Sequence, residues 1–332
     1  MNKLFRQGTD RKFILRILIS GVLMIWLLSQ VDLSQVAAHW GKVNWLLVAL
    51  LVPIFYLFNI SIRAYRLWLI LGARDLQFSF WWLWLVQLEG SFFVSFLPGG
   101  LSGDIYRTYA IARKTERALD SVSSVLLEKV IGLAAMMFIS VVSLLVGRNW
   151  LETTTFAALA PPVFAVTGGF FTILLLMAFV MRNDLIHRWH LPIPFWDRLQ
   201  QVTSQLSARV YDRRVLTTLA LLSLFLQLSI VLWYFTVATA LGLGLSLLAL
   251  LIVVPLVELF LVIPVSVGGI GLRDGALIIL LLPFGLSRED AVAFSLLMAA
   301  TATALRALSG IAFLFQSRRP SLLHTHAEQV DG

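Results

Sequence analysis

Cysteine is absent from the 332 residues, so disulfides, thiol catalysis and cysteine-based metal sites are excluded. Charge is scarce as well. Asp, Glu, Lys and Arg make up 13% of the chain, about half the share of an ordinary soluble domain. The polar segments are too short to bury a soluble core of their own, and no fused catalytic domain is expected. Histidine is equally sparse, with five in all. His187 and His190 fall in an Arg-rich segment, and His324 and His326 in a polar tail, without the further ligands a metal site needs. Nothing resembling a βαβ pattern surrounds Gly268-Gly269-Ile270-Gly271, which excludes a dinucleotide fingerprint.

What is there is hydrocarbon: 59% of residues are hydrophobic and the mean hydropathy is +0.87. Such a composition belongs to an all-α polytopic membrane protein. The net charge of +8 does not imply nucleic acid, because the basic residues are parcelled out between apolar runs. They follow topology instead. Taking about 20 apolar residues per span gives six full spans: 13–31, 45–71, 121–147, 161–181, 216–241 and 291–315. The basic N-terminus is cytoplasmic, and so is the loop bearing Arg63, Arg66 and Arg74 after the second span. A further apolar arm, 80–97, ends at Pro98-Gly99-Gly100, and the returning arm, 101–117, carries Arg107, Arg113, Lys114 and Arg117. All want the cytoplasm. The conflict disappears if this arm turns back within the membrane as a re-entrant hairpin.

A second broken segment repeats the arrangement. In Glu89–Arg107 and in Glu258–Asp274 a Glu lies ten positions before a Gly-Gly pair, and a polar or charged cluster follows. Two hairpins in two orientations make an inverted repeat, the architecture of many transporters. The expected organisation is a cytoplasmic segment 1–12, a membrane domain 13–316 with repeats at about 45–147 and 215–315, and a cytoplasmic tail 317–332. Between the repeats, 182–214 is an Arg-rich cytoplasmic linker with helical amphipathic spacing. About 20 of the Lys and Arg residues fall on the sides so assigned to the cytoplasm.

Charges inside a membrane cost roughly 2.5 to 3.5 kcal/mol each on insertion scales, so they are functional candidates. Here they are Glu89, Asp104, Arg107, Glu128, Lys129, Glu258, Arg273, Asp274 and Arg306. The plain alternative is structural pairing, Arg273 with Glu258 or Arg107 with Glu128. At a Gly-Gly break the first amides of the following helix are unpaired and favour an anion such as phosphate. Gly99, Gly100, Gly268 and Gly269 therefore join Arg107, Arg273, Asp104 and Asp274 as candidate substrate-binding residues, the arginines as bidentate phosphate ligands. Glu89, Glu128 and Glu258 are candidates for a cationic head group or a coupling proton. Glycine here has a bland alternative too, as tight turns and close helix approach.

At these hairpins the chain resembles the lysylphosphatidylglycerol synthase transmembrane family, also called the flippase-like domain family. The resemblance rests on Leu97-Pro98-Gly99-Gly100 with Gly103-Asp104 and Arg107, on Ser124-Val125-Leu126-Leu127-Glu128-Lys129, and on Pro264 with Gly268-Gly269-Ile270-Gly271-Leu272-Arg273-Asp274. The family usually has Glu where this chain has Asp274. The resemblance implies a stand-alone lipid-handling membrane domain without the synthase activity of fused members. The expected function is a translocase that moves a phosphate-bearing lipid across a bacterial inner membrane, with both termini cytoplasmic. Membrane lipids and envelope-lipid biosynthesis enzymes are the expected partners, and no cofactor or metal is implied. Alternatives are an integral-membrane lipid-modifying enzyme using Asp104, Glu128 or Asp274 as base, an accessory subunit of an envelope-lipid pathway, and a transporter of small solutes.

Overall fold

In the computed structural model, helix follows helix, and no strand occurs among the described residues, which are 29, 34, 39–96, 102–115, 117–182, 212–260 and 271–316. The helices are α1 Trp45–Gly72, α2 Phe80–Phe96, α3 Ser102–Thr115, α4 Ala118–Gly147, α5 Thr153–Arg182, α6 Arg213–Ala240, α7 Leu247–Phe260, α8 Leu272–Leu281 and α9 Arg288–Gln316. Local chemistry sets several of their starts. The side chain of Asn44 accepts the Leu47 N–H at 3.1 Å, and that of Asp212 accepts the Arg214 N–H at 3.1 Å. Gly271 begins α8 at φ 80°, a conformation that only glycine adopts cheaply, and its N–H donates to the Asp274 carboxylate at 2.9 Å. One start differs from expectation: α5 begins at Thr153 and runs through Pro161 and Pro162, which the sequence reading took as its first residues.

Five helices are long and apolar enough to cross a bilayer: Trp45–Gly72, Ala118–Gly147, Thr155–Leu176, Arg213–Ala240 and Arg288–Ile311. Each coincides with an expected full span. The other expected span, 13–31, lies outside the described residues, as do most of the 182–214 linker and the 317–332 tail. The remaining helices are shorter. At 1.5 Å per residue the 17 residues of α2, 14 of α3, 14 of α7 and 10 of α8 reach about 26, 21, 21 and 15 Å, against about 30 Å of hydrocarbon.

Lipid rather than water accounts for the outer surface. Leu46, Leu50, Ile54, Leu57 and Phe58 share one exposed stripe of α1, and Leu175 and Leu176 project from α5. Inside, the largest apolar cluster joins α1, α6, α7, α8 and α9 through residues such as Val52, Val231, Val253, Leu277 and Phe294. Because lipid tails are as apolar as leucine, packing and buried hydrogen bonds must select the helix neighbours. Asn59 Nδ2 donates to Ser229 Oγ at 2.9 Å and joins α1 to α6. Tyr56 and Ser309 share a hydroxyl bond of 2.7 Å between α1 and α9, and Ser140 Oγ donates to the Ile252 carbonyl at 3.0 Å between α4 and α7.

The most extensive contacts are α1 on α6, α2 on α9 and α4 on α7. Next come α2 with α3 and α3 with α4. The crossing of α2 and α3 depends on glycine. A Cβ on Gly103 would stand 2.9 Å from the Gly90 carbonyl oxygen and 2.9 Å from a Val94 methyl. Gly103→Ala is therefore expected to force the two backbones apart and cost about 1–3 kcal/mol, whereas Gly168→Ala, with open space around it, stays near wild type. Thermal unfolding in detergent checks this. Equal melting temperatures for the two variants would contradict the close-approach account.

Candidate functional site

Asp104 and Arg107 are three residues apart on α3, Glu128 and Lys129 are adjacent on α4, and Arg66 reaches them from α1. They form one chain of charge. Lys129 Nζ donates to Asp104 Oδ2 at 2.6 Å, and Arg107 bonds Asp104 Oδ1 through Nη2 and Glu128 Oε2 through Nη1, the latter at 2.7 Å. Arg66 Nη1 lies 4.0 Å from Glu128 Oε1, and its Nη2 donates to the Glu128 main-chain carbonyl at 2.5 Å. Arg66, Arg107 and Glu128 are 2%, 5% and 4% exposed, so the centre of this chain is buried, with Asp104 and Lys129 at its edge. The Nε of Arg66 remains buried with no hydrogen-bond partner among the described residues.

On the other half of the chain, the Tyr234 hydroxyl on α6 donates to Glu258 Oε1 on α7 at 3.0 Å. Arg273 pairs with its neighbour Asp274, Nη2 to Oδ1 at 3.3 Å. This corrects one expected pairing. The partner of Arg273 is Asp274, whose second oxygen takes the Gly271 N–H, and Glu258 is engaged by a tyrosine. The geometry explains it: the α8 cap turns the Asp274 carboxylate back along the helix, beside the guanidinium. The other expected pairing, Arg107 with Glu128, is present.

A cavity of about 260 Å³ brings the two halves together. Asp104, Arg107 and Glu128 line it from one side of the chain, and Glu258 and Arg273 from the other. Glu89 and Asp274 do not reach its lining. Glu89, 2% exposed on α2, accepts the Tyr106 hydroxyl of α3 at 2.5 Å. Gly99, Gly100, Gly268 and Gly269 lie outside the described residues.

Several lining residues were not expected. Arg63 and Arg66 were assigned to a cytoplasmic loop, yet both lie within α1 and line the cavity. The signal was present: their spacing of three puts them on one helix face, and Leu67-Trp68-Leu69-Ile70-Leu71 continues the apolar run beyond them. Gln227 and Tyr234 on α6 also line it, seven residues apart and so on one face. They had no distinguishing signal among the other polar residues of that span.

The architecture and this buried charge define a multi-pass α-helical membrane protein. The chain matches the family model for the lysylphosphatidylglycerol synthase TM region over residues 13–310, nearly its whole length, and it belongs to that family. No curated protein and no solved structure matches it.

Breaking a buried pair from one side leaves an uncompensated charge, at a typical cost of about 3–5 kcal/mol. Arg107→Met alone and Glu128→Leu alone are each expected to lower stability by that order. The double variant should lose less than the sum, by about 1–3 kcal/mol, because neither member of the pair is then left facing the vacancy of the other. A double-mutant cycle from detergent unfolding reads the difference. Additive losses would mean that the pair is not coupled as the distances indicate.

Proposed function

We propose that the protein is a lipid translocase that carries a phosphate-bearing lipid across a bacterial inner membrane. The observation behind this is the cavity, lined by six cations from α1, α3, α4, α8 and α9 inside a bundle whose outer surface is hydrocarbon. A phosphate would enter it beside Arg107 and Arg273 while the acyl or prenyl tails stay in the bilayer. Family membership supports a lipid-related role for the domain.

In this reading α2–α3 and α7–α8 are the two arms of re-entrant hairpins. The repeats are α1–α4 and α6–α9. Helix contacts support the pairing: exchanging the repeats turns the α2–α9 contact into the α7–α4 contact and leaves α1–α6 unchanged. Rocking of one repeat against the other would then present the cavity alternately to the two sides. The protein acts as a transporter and not as an enzyme, driven by a gradient or by consumption of the lipid on the far side, and its partners are membrane lipids and the enzymes that make or use them.

Purified protein reconstituted in vesicles with a labelled phospholipid or polyprenyl phosphate should speed translocation over empty vesicles. Arg107→Ala should cut the rate by roughly tenfold or more, the effect of losing a charge-assisted contact. Rates equal to empty vesicles across both lipid classes would sink the proposal.

A further inference from the structure

The lining of the cavity distinguishes among phosphate head groups by their charge. Every carboxylate at or behind its wall is already engaged. Asp104, Glu128 and Asp274 are held by cations, and Glu258 and Glu89 accept tyrosine hydroxyls. The cations are not all engaged. Arg63 on α1 and Arg306 on α9 line the cavity and make no ion pair and no side-chain hydrogen bond among the described residues. Arg63 stands near Arg66, and Arg306 stands near Arg273 and the Glu258 carboxylate. Gln227 lines the same space, is 4% exposed, and has a side-chain amide with no hydrogen-bond partner among the described residues.

Unpaired guanidinium groups and an unpaired amide inside a bundle are costly unless a ligand completes them. The cations without a partner say how much charge that ligand brings. Among the described residues six cations line the cavity against three carboxylates, with Asp274 and Glu89 behind the wall, and two of those cations, Arg63 and Arg306, have no ion pair there. A phosphodiester supplies one negative charge and leaves one guanidinium uncompensated. An aminoacylated phosphodiester with two ammonium groups is a net cation and would add to the positive charge. Asp104 and Glu128 are not free to receive its ammonium groups, being bonded to Lys129, Arg107 and Arg66.

We propose that the lipid head group seated here carries at least two negative charges, as a terminal phosphate monoester or a diphosphate, with Arg63, Arg306 and Gln227 as its ligands. This rests on the translocase reading for the identity of the ligand as a lipid. The charge class follows from the two lining arginines that have no ion pair among the described residues. Arg63 and Arg306 supply bidentate donors from opposite ends of the chain, and the Gln227 amide donates to a remaining phosphate oxygen.

Native mass spectrometry of the full chain in detergent provides the test, with phosphatidic acid, a polyprenyl diphosphate, phosphatidylglycerol, lysylphosphatidylglycerol and inorganic pyrophosphate as probes. Phosphatidic acid and the polyprenyl diphosphate should bind roughly tenfold or more tighter than phosphatidylglycerol, with lysylphosphatidylglycerol weakest. Arg306→Gln and Arg63→Gln should each reduce that preference severalfold, and Gln227→Ala should weaken the doubly charged lipids alone. Among the described residues neither arginine holds a neighbouring helix by an ion pair, so neither variant should lower the melting temperature below that of the wild type. Phosphatidylglycerol or lysylphosphatidylglycerol binding as tightly as the doubly charged lipids would overturn the proposal, as would an unchanged preference in both arginine variants. Pyrophosphate binding as tightly as the lipids would keep the charge class and remove the lipid. Failure of all five probes to bind would overturn both.

Discussion

A buried charge in a lipid-embedded bundle must find a partner, and Arg107 meets that demand for the first half of this chain. Its two Nη atoms bond carboxylates on different helices, Asp104 on its own α3 and Glu128 on α4. Through Glu128 the network reaches Arg66 on α1, and through Asp104 it reaches Lys129. Three helices are thereby held at one depth. Hydrophobic burial cannot do this, because lipid offers each leucine the same environment as a neighbouring helix. The ion pairs have a net worth well below their Coulomb energy, but leaving any member alone is what the membrane penalises most. Specificity of packing follows from that penalty.

Such a network places demands on the backbone around it. Arg107 can sit at the wall of the cavity only if α3 lies close against α2, and α3 does so because Gly103 and Gly90 face each other without side chains. The Arg107 side chain also passes over Gly90, where a Cβ would stand 3.2 Å from its Cγ. Elsewhere the aromatic ring of Phe92 occupies the space above Gly310, bringing α2 onto α9. Small residues therefore appear where helices approach closely, within the first half at Gly90 and Gly103 and between the halves at Gly310. Glycine is costly within a helix, yet here each one admits a contact that a larger residue would block.

Much of this was legible in the sequence, for a physical reason. Long apolar runs bounded by arginine have one stable arrangement in a bilayer, and five of them are helices at the expected places. The pairing of Arg107 with Glu128 was legible because both are intramembrane charges of opposite sign. Arg63 and Arg66 were missed because a count of basic residues assigns arginine to a loop by default, whereas these two are sheltered by a cavity. The bond between Asp274 and the Gly271 amide was not legible, because it depends on a positive φ that no residue pattern displays. Where the two Gly-Gly pairs place their amides lies outside the described residues.

The distribution of paired and unpaired charge bears on how the proposed cycle would run. The first half locks its charges in a chain from Lys129 to Arg66, while the second half holds Glu258 by a tyrosine and, among the described residues, leaves Arg306 without an ion pair. Motion that separated α3 from α4 would break the Arg107–Glu128 and Lys129–Asp104 pairs together, at several kcal/mol. Motion that carries α9 away from the cavity breaks no ion pair of Arg306. In the proposed cycle the cheaper movement would be of α9 relative to α1, α3 and α4, at the loss of the Tyr56–Ser309 hydroxyl bond, with a bound anion bridging Arg306 to Arg63. A ligand held by both arginines would couple the two bodies, and its departure would release them.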